Sequence, residues 1–225
     1  MLNCDRLLCR TARISSRGGF TLVELLVVIG IIAILAGVAL GPITAGIKKA
    51  QQSGGVQTAR TLALSEFQYA NDNSSTYPYG TDGGKVATVL MAGGYISDPG
   101  IFYISGASNE TKYTGTAGTT AFPVGSVSWD FGTGTAAGLT ANAPDQTPLV
   151  ISSGVGTALA TALGTSGAVT ATATSTMPYG TAGFAVCFKS NSAKFLIQSP
   201  VAGSTASVED GSWPGYTMAF ANGNG

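Results

Sequence analysis

No residue between positions 25 and 47 is charged, and this run constrains the chain more than any other feature. As a helix rising ~1.5 Å per residue it reaches about 35 Å, enough to cross a hydrocarbon core of about 30 Å. A single segment in lipid must satisfy every backbone N–H and C=O internally, so a lone strand is excluded and a helix is expected. The span is preceded by Arg6, Arg10, Arg13 and Arg17 and followed by Lys48 and Lys49. Under the positive-inside tendency the N-terminal segment stays cytoplasmic and the rest of the chain lies outside.

The first nineteen residues are a basic leader whose only acid is Asp5. Their removal takes four of the 11 basic and one of the 11 acidic residues, leaving seven against ten and a formal net charge of −3 where the whole chain has none. Cys4 and Cys9 belong to the leader and only Cys187 lies beyond it, so no internal disulfide survives leader removal. Histidine is absent, which removes the commonest general base and a common metal ligand. No basic face advertises nucleic acid, and none is expected as a partner.

Past the span, Ile43, Ile47, Ala50, Ala59, Leu62, Ala63, Phe67 and Ala70 recur mainly every three or four residues, which predicts an amphipathic continuation of the helix to about residue 70. Gly54 and Gly55 weaken that continuity, and the polar run 71–75 ends it. The head is expected over residues 71–225. It should hold a short helix at 85–92 stopped by Gly93-Gly94, and strands at 101–104, 126–131, 148–152, 184–189 and 193–198, the last two joined by a hairpin turn at 190–192. The Thr-, Ala- and Gly-rich segment 154–176 has no apolar period and reads as a surface excursion, with an edge strand as the alternative.

The string Arg17-Gly18-Gly19-Phe20-Thr21-Leu22-Val23-Glu24-Leu25-Leu26-Val27-Val28-Ile29-Gly30 closely resembles the prepilin-type cleavage and methylation signal of type IV pilins and type II secretion pseudopilins. The resemblance covers residues 17 to 45. It implies removal of residues 1–19 by a membrane-embedded prepilin peptidase, which cuts between Gly19 and Phe20, and N-methylation of Phe20. It also implies an α+β fold: a membrane-spanning helix over residues 20–70 that leaves the membrane at about 47, packed on a small antiparallel sheet.

Glu24 stands at the lip of an apolar span that holds no cation. An intramembrane carboxylate is costly and normally has a partner. Cleavage after Gly19 would create one, because the freed α-amino group of Phe20 has a reference pKa of roughly 7.7 to 8.0. In the family, this amine on an incoming subunit is thought to neutralise a neighbour's glutamate, which makes Glu24 the expected assembly residue. Ala33, Gly37, Gly41 and Ala45 recur every four residues and predict a small-residue ridge for close helix packing. Pro42 removes one backbone donor and is expected to kink or locally unwind the helix near Val38.

The connector Tyr77-Pro78 and the segment 94–99 look like those of major type II secretion pseudopilins. Many such proteins bind calcium in a head loop, and Glu209-Asp210-Gly211 is the candidate here; no other cofactor is expected. The scattered Asp130, Asp145, Glu209 and Asp210 argue for no active site, so the expected role is structural. The implied partners are further copies, related pilin-like subunits, the prepilin peptidase, an inner-membrane assembly platform and, before assembly, membrane lipid. Two other readings remain: a type IV pilin for adhesion, motility or DNA uptake, and a glycan- or DNA-binding module gripping through Trp129, Tyr179, Trp213 and Tyr216.

Overall fold

The computed structural model describes residues 19–107, 110–115, 122–123, 125–134, 139–154, 168–171, 177–197, 206–210 and 216–219. The chain divides into two units, Met1–Ile47 and Lys48–Gly225. Helix α1, Leu22–Asp72, contributes to both. Among the described residues it is the one helix long and apolar enough to cross a membrane.

In the second unit α1 buries Gly55, Ala59, Leu62, Ala63, Ser65, Glu66 and Ala70. The expected face is therefore corrected at its edge, since Phe67 is 50% exposed and Glu66 is buried. At about 100° per residue, Glu66 falls in line with Ala59, Leu62, Ala63 and Ala70, whereas Phe67 lies well to one side. Gly54 and Gly55 do not interrupt the helix. Gly55 instead lets the Tyr179 ring rest directly on the backbone, because a Cβ there would overlap the Tyr179 hydroxyl. The helix ends at a polar turn in which Ser74 and Ser75 have positive φ and the Ser75 amide donates to the Ala70 carbonyl at 2.8 Å.

Helix α2, Gly83–Ala92, starts two residues earlier than expected, because Asp82 caps it by accepting from the Lys85 amide at 2.9 Å. Its end follows the glycine pair. Gly94 takes φ +75 and the Tyr95 amide closes back on the Leu90 carbonyl at 3.0 Å. The strand expected at 101–104 is absent, and a 3-10 turn occupies Pro99–Phe102. Local turn chemistry decides this: Asp98 accepts from the Gly100 amide at 2.8 Å and Pro99 presets the first φ. The segment then docks by single hydrogen bonds, the Ser128 amide to the Phe102 carbonyl at 2.7 Å and the Trp129 indole to the Ile101 carbonyl at 3.2 Å.

The main sheet joins β1 (Trp129–Gly134), β2 (Pro148–Ser152), β4 (Gly183–Phe188), β5 (Ala193–Ile197) and β7 (Tyr216–Ala219) in the order β5-β4-β2-β1-β7, with every pairing antiparallel. Strand β2 coincides with the expected residues. Strand β1 begins three residues late, because Ser126 is held in a turn on the Pro123 carbonyl. In the β4–β5 hairpin Asn191 takes φ 61, a conformation that asparagine tolerates. Strands β2 and β4 are buried at every residue, so both faces of the sheet are covered at its centre.

The excursion expected at 154–176 is corrected in part: Ala168–Ala171 is strand β3, paired antiparallel with β6 (Ala206–Asp210) in a separate two-stranded sheet. Positions 155–167 and 172–176 lie outside the described residues. The architecture is α+β, a long N-terminal apolar helix with a small antiparallel sheet, and is consistent with a pilin-like fold.

One core unites the α1 face, α2 and the sheet, with Leu62, Leu90, Phe102, Trp129, Phe131, Ile151 and Phe184 among its fully buried members. Glu66 is 1% exposed and its Oε1 has no hydrogen-bond partner among the described residues. Burial holds its carboxyl well above the usual range. The Cys187 thiol is pushed up to about 12 by burial and by Glu66, against the pull of Arg60. Tyr77 is pushed up to about 12, first by burial and then by Glu66 and Asp145.

Candidate functional site

The site foreseen from the sequence lies in the first unit. Gly19 and Phe20 precede the helix outside any regular element and are exposed, with Phe20 75% exposed and nothing within 4 Å of a Cβ built at Gly19. The peptide bond between them, the expected cleavage point, is exposed among the described residues. Positions 1–18, including Cys4, Cys9 and the four leader arginines, lie outside the described residues.

Thr21 is the residue before α1, and Glu24 occupies its first turn. The Thr21 amide and hydroxyl both donate to Glu24 Oε2, at 2.8 and 2.7 Å, while the Glu24 amide donates to the Thr21 hydroxyl oxygen at 3.2 Å. This is a reciprocal capping box, and the helix dipole adds its own preference for an anion in the first turn. Glu24 is therefore not without partners in the single subunit: it caps the helix that carries it. The Thr-x-x-Glu spacing in the sequence is the signal that would have revealed the box.

Beyond Glu24 the helix presents exposed apolar side chains all round, with none of them buried among the described residues. Leu26, Ile29, Ile32, Leu35 and Leu40 are between 57% and 64% exposed. Such a surface must be covered by lipid or by other protein. Ala33, Gly37, Gly41 and Ala45 sit on this uncovered helix, and a Cβ at Gly37 or Gly41 meets nothing within 4 Å. The helix is continuous through Val38 and Pro42, so the expected local unwinding is not present.

The remaining candidates are in the second unit. Trp129 is fully buried and belongs to the core, so it cannot grip a glycan or a base. Tyr179 is partly buried against Gly55 and Phe195, Trp213 lies outside the described residues, and Tyr216 is in β7. Asp130 is buried in β1, and Asp145 pairs with Lys189 at 3.1 Å. Glu209 and Asp210 are consecutive in β6, opposite Val169 and Ala168, and Gly211 lies outside the described residues. Cys187 is buried and free.

The exposed Gly19-Phe20 segment, the capped Glu24 and the exposed apolar helix give the N-terminus the features of a membrane anchor. Residues 14–40 match the family model described as the prokaryotic N-terminal methylation motif. This supports a type IV pilin-like protein held in the inner membrane by its N-terminal helix. No curated protein and no solved structure matches the chain.

Proposed function

We propose that the chain is a structural subunit of a pilus-like filament, cut between Gly19 and Phe20, methylated at Phe20, and assembled from the inner membrane as a type II secretion pseudopilin that drives protein export. The observation that carries this reading is the juxtaposition of the open Gly19-Phe20 bond with Glu24 at the start of an uncovered apolar helix. Cleavage creates an ammonium group four residues from Glu24 in its own chain. On a neighbouring subunit, the same ammonium is the cation that an apolar interface demands of a buried carboxylate. Uncut chains lack it, so assembly would admit only processed subunits. The head projects on the periplasmic side, and the work is done by polymerisation, not catalysis. The free, buried Cys187 favours the export subunit over an adhesive pilin whose C-terminal loop is closed by a disulfide.

Glu24→Gln separates the two tasks of this residue. Glutamine serves at the same place in a capping box but carries no charge. Cells with an active prepilin peptidase should cut and methylate the variant normally, as read by the N-terminal mass, yet yield few or no filaments. Normal filament yield with Glu24→Gln would sink the charge-pairing mechanism. A wild-type product that does not start at Phe20 would sink the prepilin reading itself.

A further inference from the structure

The second unit carries an open cavity of about 400 Å³ whose α1 wall is Lys48, Gln51 and Gln52 and whose other wall is the loop 178–182, including Tyr179 and Thr181. We propose that this cavity docks the phosphate of a membrane-lipid headgroup. The inference rests on the reading that residues 25–47 cross the membrane.

Position is the first argument. Lys48 is the first charged residue after the apolar run, and a bilayer adds roughly 5–7 Å of headgroup layer on each side of its core. At ~1.5 Å per residue, positions 48–52 cover about that depth. Chain connectivity alone therefore places the helical wall of the cavity at headgroup level.

Chemistry is the second. The lining offers an ammonium, two carboxamides, the Thr181 hydroxyl and the Tyr179 phenol, and no carboxylate, in a processed chain whose formal net charge is −3. Among the described residues Lys48 makes no ion pair, so its charge is available. A cation with neutral donors and no acid suits a phosphate ester and offers nothing specific to a choline ammonium.

The cavity is also held in shape. Tyr179 rests on Gly55 and meets Phe195 edge-to-face, with centroids 5.3 Å apart, so the loop wall is anchored on both α1 and β5. A preformed wall spares the ligand the cost of ordering a loop. Its volume lies within the range of small-ligand sites.

The competing explanation is that Lys48 and Lys49 merely snorkel to the membrane surface. Lys49 has the same charge and does not line the cavity, which makes it the control. The full chain is placed in nanodiscs containing phosphatidylglycerol and phosphatidylcholine in equal amounts. Retained lipid is then read by native mass spectrometry, with unfolding temperature as the check on each variant. Wild type should keep phosphatidylglycerol; Lys48→Gln should keep about tenfold less, and Lys49→Gln should lose less than about twofold. Equal losses in the two variants would reduce the effect to general surface charge and overturn the site. Lys48-dependent binding of inorganic phosphate by the detergent-solubilised chain, without retained lipid, would assign the cavity to the free ion and overturn the lipid source. A chain that inserts but retains no phosphatidylglycerol removes this inference alone. A chain that does not insert removes the membrane reading with it.

Discussion

Glu66 is a carboxyl placed where the amphipathic face of α1 calls for an apolar residue, with no hydrogen-bond partner at Oε1 among the described residues. Its protonated form is the one the core accepts. Because its folded-state pKa is raised, the folded chain binds a proton that the unfolded chain releases above the ordinary carboxylate value. Stability is therefore greatest below that value and falls as pH rises towards the folded-state pKa, by at most about 1.4 kcal/mol per pH unit. The groups it acts on do not confuse the window, since Tyr77 and Cys187 are both pushed up to about 12, first of all by burial. Glu110, also raised by burial against hydrogen bonds from Ser128 and Ser153, has the same sign in every variant and cancels. Thermal unfolding of the full chain in detergent should fall between pH 5 and pH 8 in wild type and fall less steeply in Glu66→Gln. Equal slopes would mean that Glu66 is not held neutral. Nothing in the local sequence marks this residue, since Glu-Phe at 66–67 reads most simply as a polar and an apolar neighbour in the wrong order.

On the scale of elements, adjacent glycines in α1 have opposite roles. A Cβ at Gly54 meets nothing, whereas one at Gly55 meets the Tyr179 ring. Gly54→Ala should stabilise the chain by about 0.5–1 kcal/mol through helix propensity. Gly55→Ala should destabilise it by roughly 1–3 kcal/mol as Tyr179 is forced off the helix, with part of that cost recovered in a Tyr179→Phe background. Melting temperatures of the four proteins check this; a stabilising Gly55→Ala would dissolve the contact. The ridge of Ala33, Gly37, Gly41 and Ala45 gives a different contrast, because among the described residues it is exposed throughout. Gly37→Leu should leave the melting temperature unchanged and reduce filament yield, as counted by electron microscopy. Filaments that form normally with leucine there would exclude close backbone approach along the ridge. Helices and hairpins were legible where their punctuation is local, as at Gly93-Gly94 and around Asn191. The strand expected at 101–104 failed because Asp98 and Pro99, next to it, set a turn that β propensity could not override.

The whole molecule is two units under different rules: a helix whose apolar surface has no cover of its own, and a head with a continuous core. The proposed processing would change its electrostatics as well as its length. Loss of four arginines and one aspartate would take the formal net charge from zero to −3. The membrane-extracted protein should focus at a clearly lower pH in cells with an active prepilin peptidase than in cells without one. Identical focusing positions would mean that the leader is retained.

The sequence by itself determined the long apolar helix, the Gly19-Phe20 and Glu24 candidates, strand β2 and the β4–β5 hairpin. Each depends on interactions within a few residues or on the absence of charge from a stretch that lipid must accept. Only the tertiary structure decided that Glu66 and not Phe67 faces the core, that Trp129 is buried, that Ala168–Ala171 finds a partner in β6, and that β7 returns to pair with β1. Those outcomes depend on contacts between residues far apart in the chain, where the energy of burial and of strand pairing outweighs local preference.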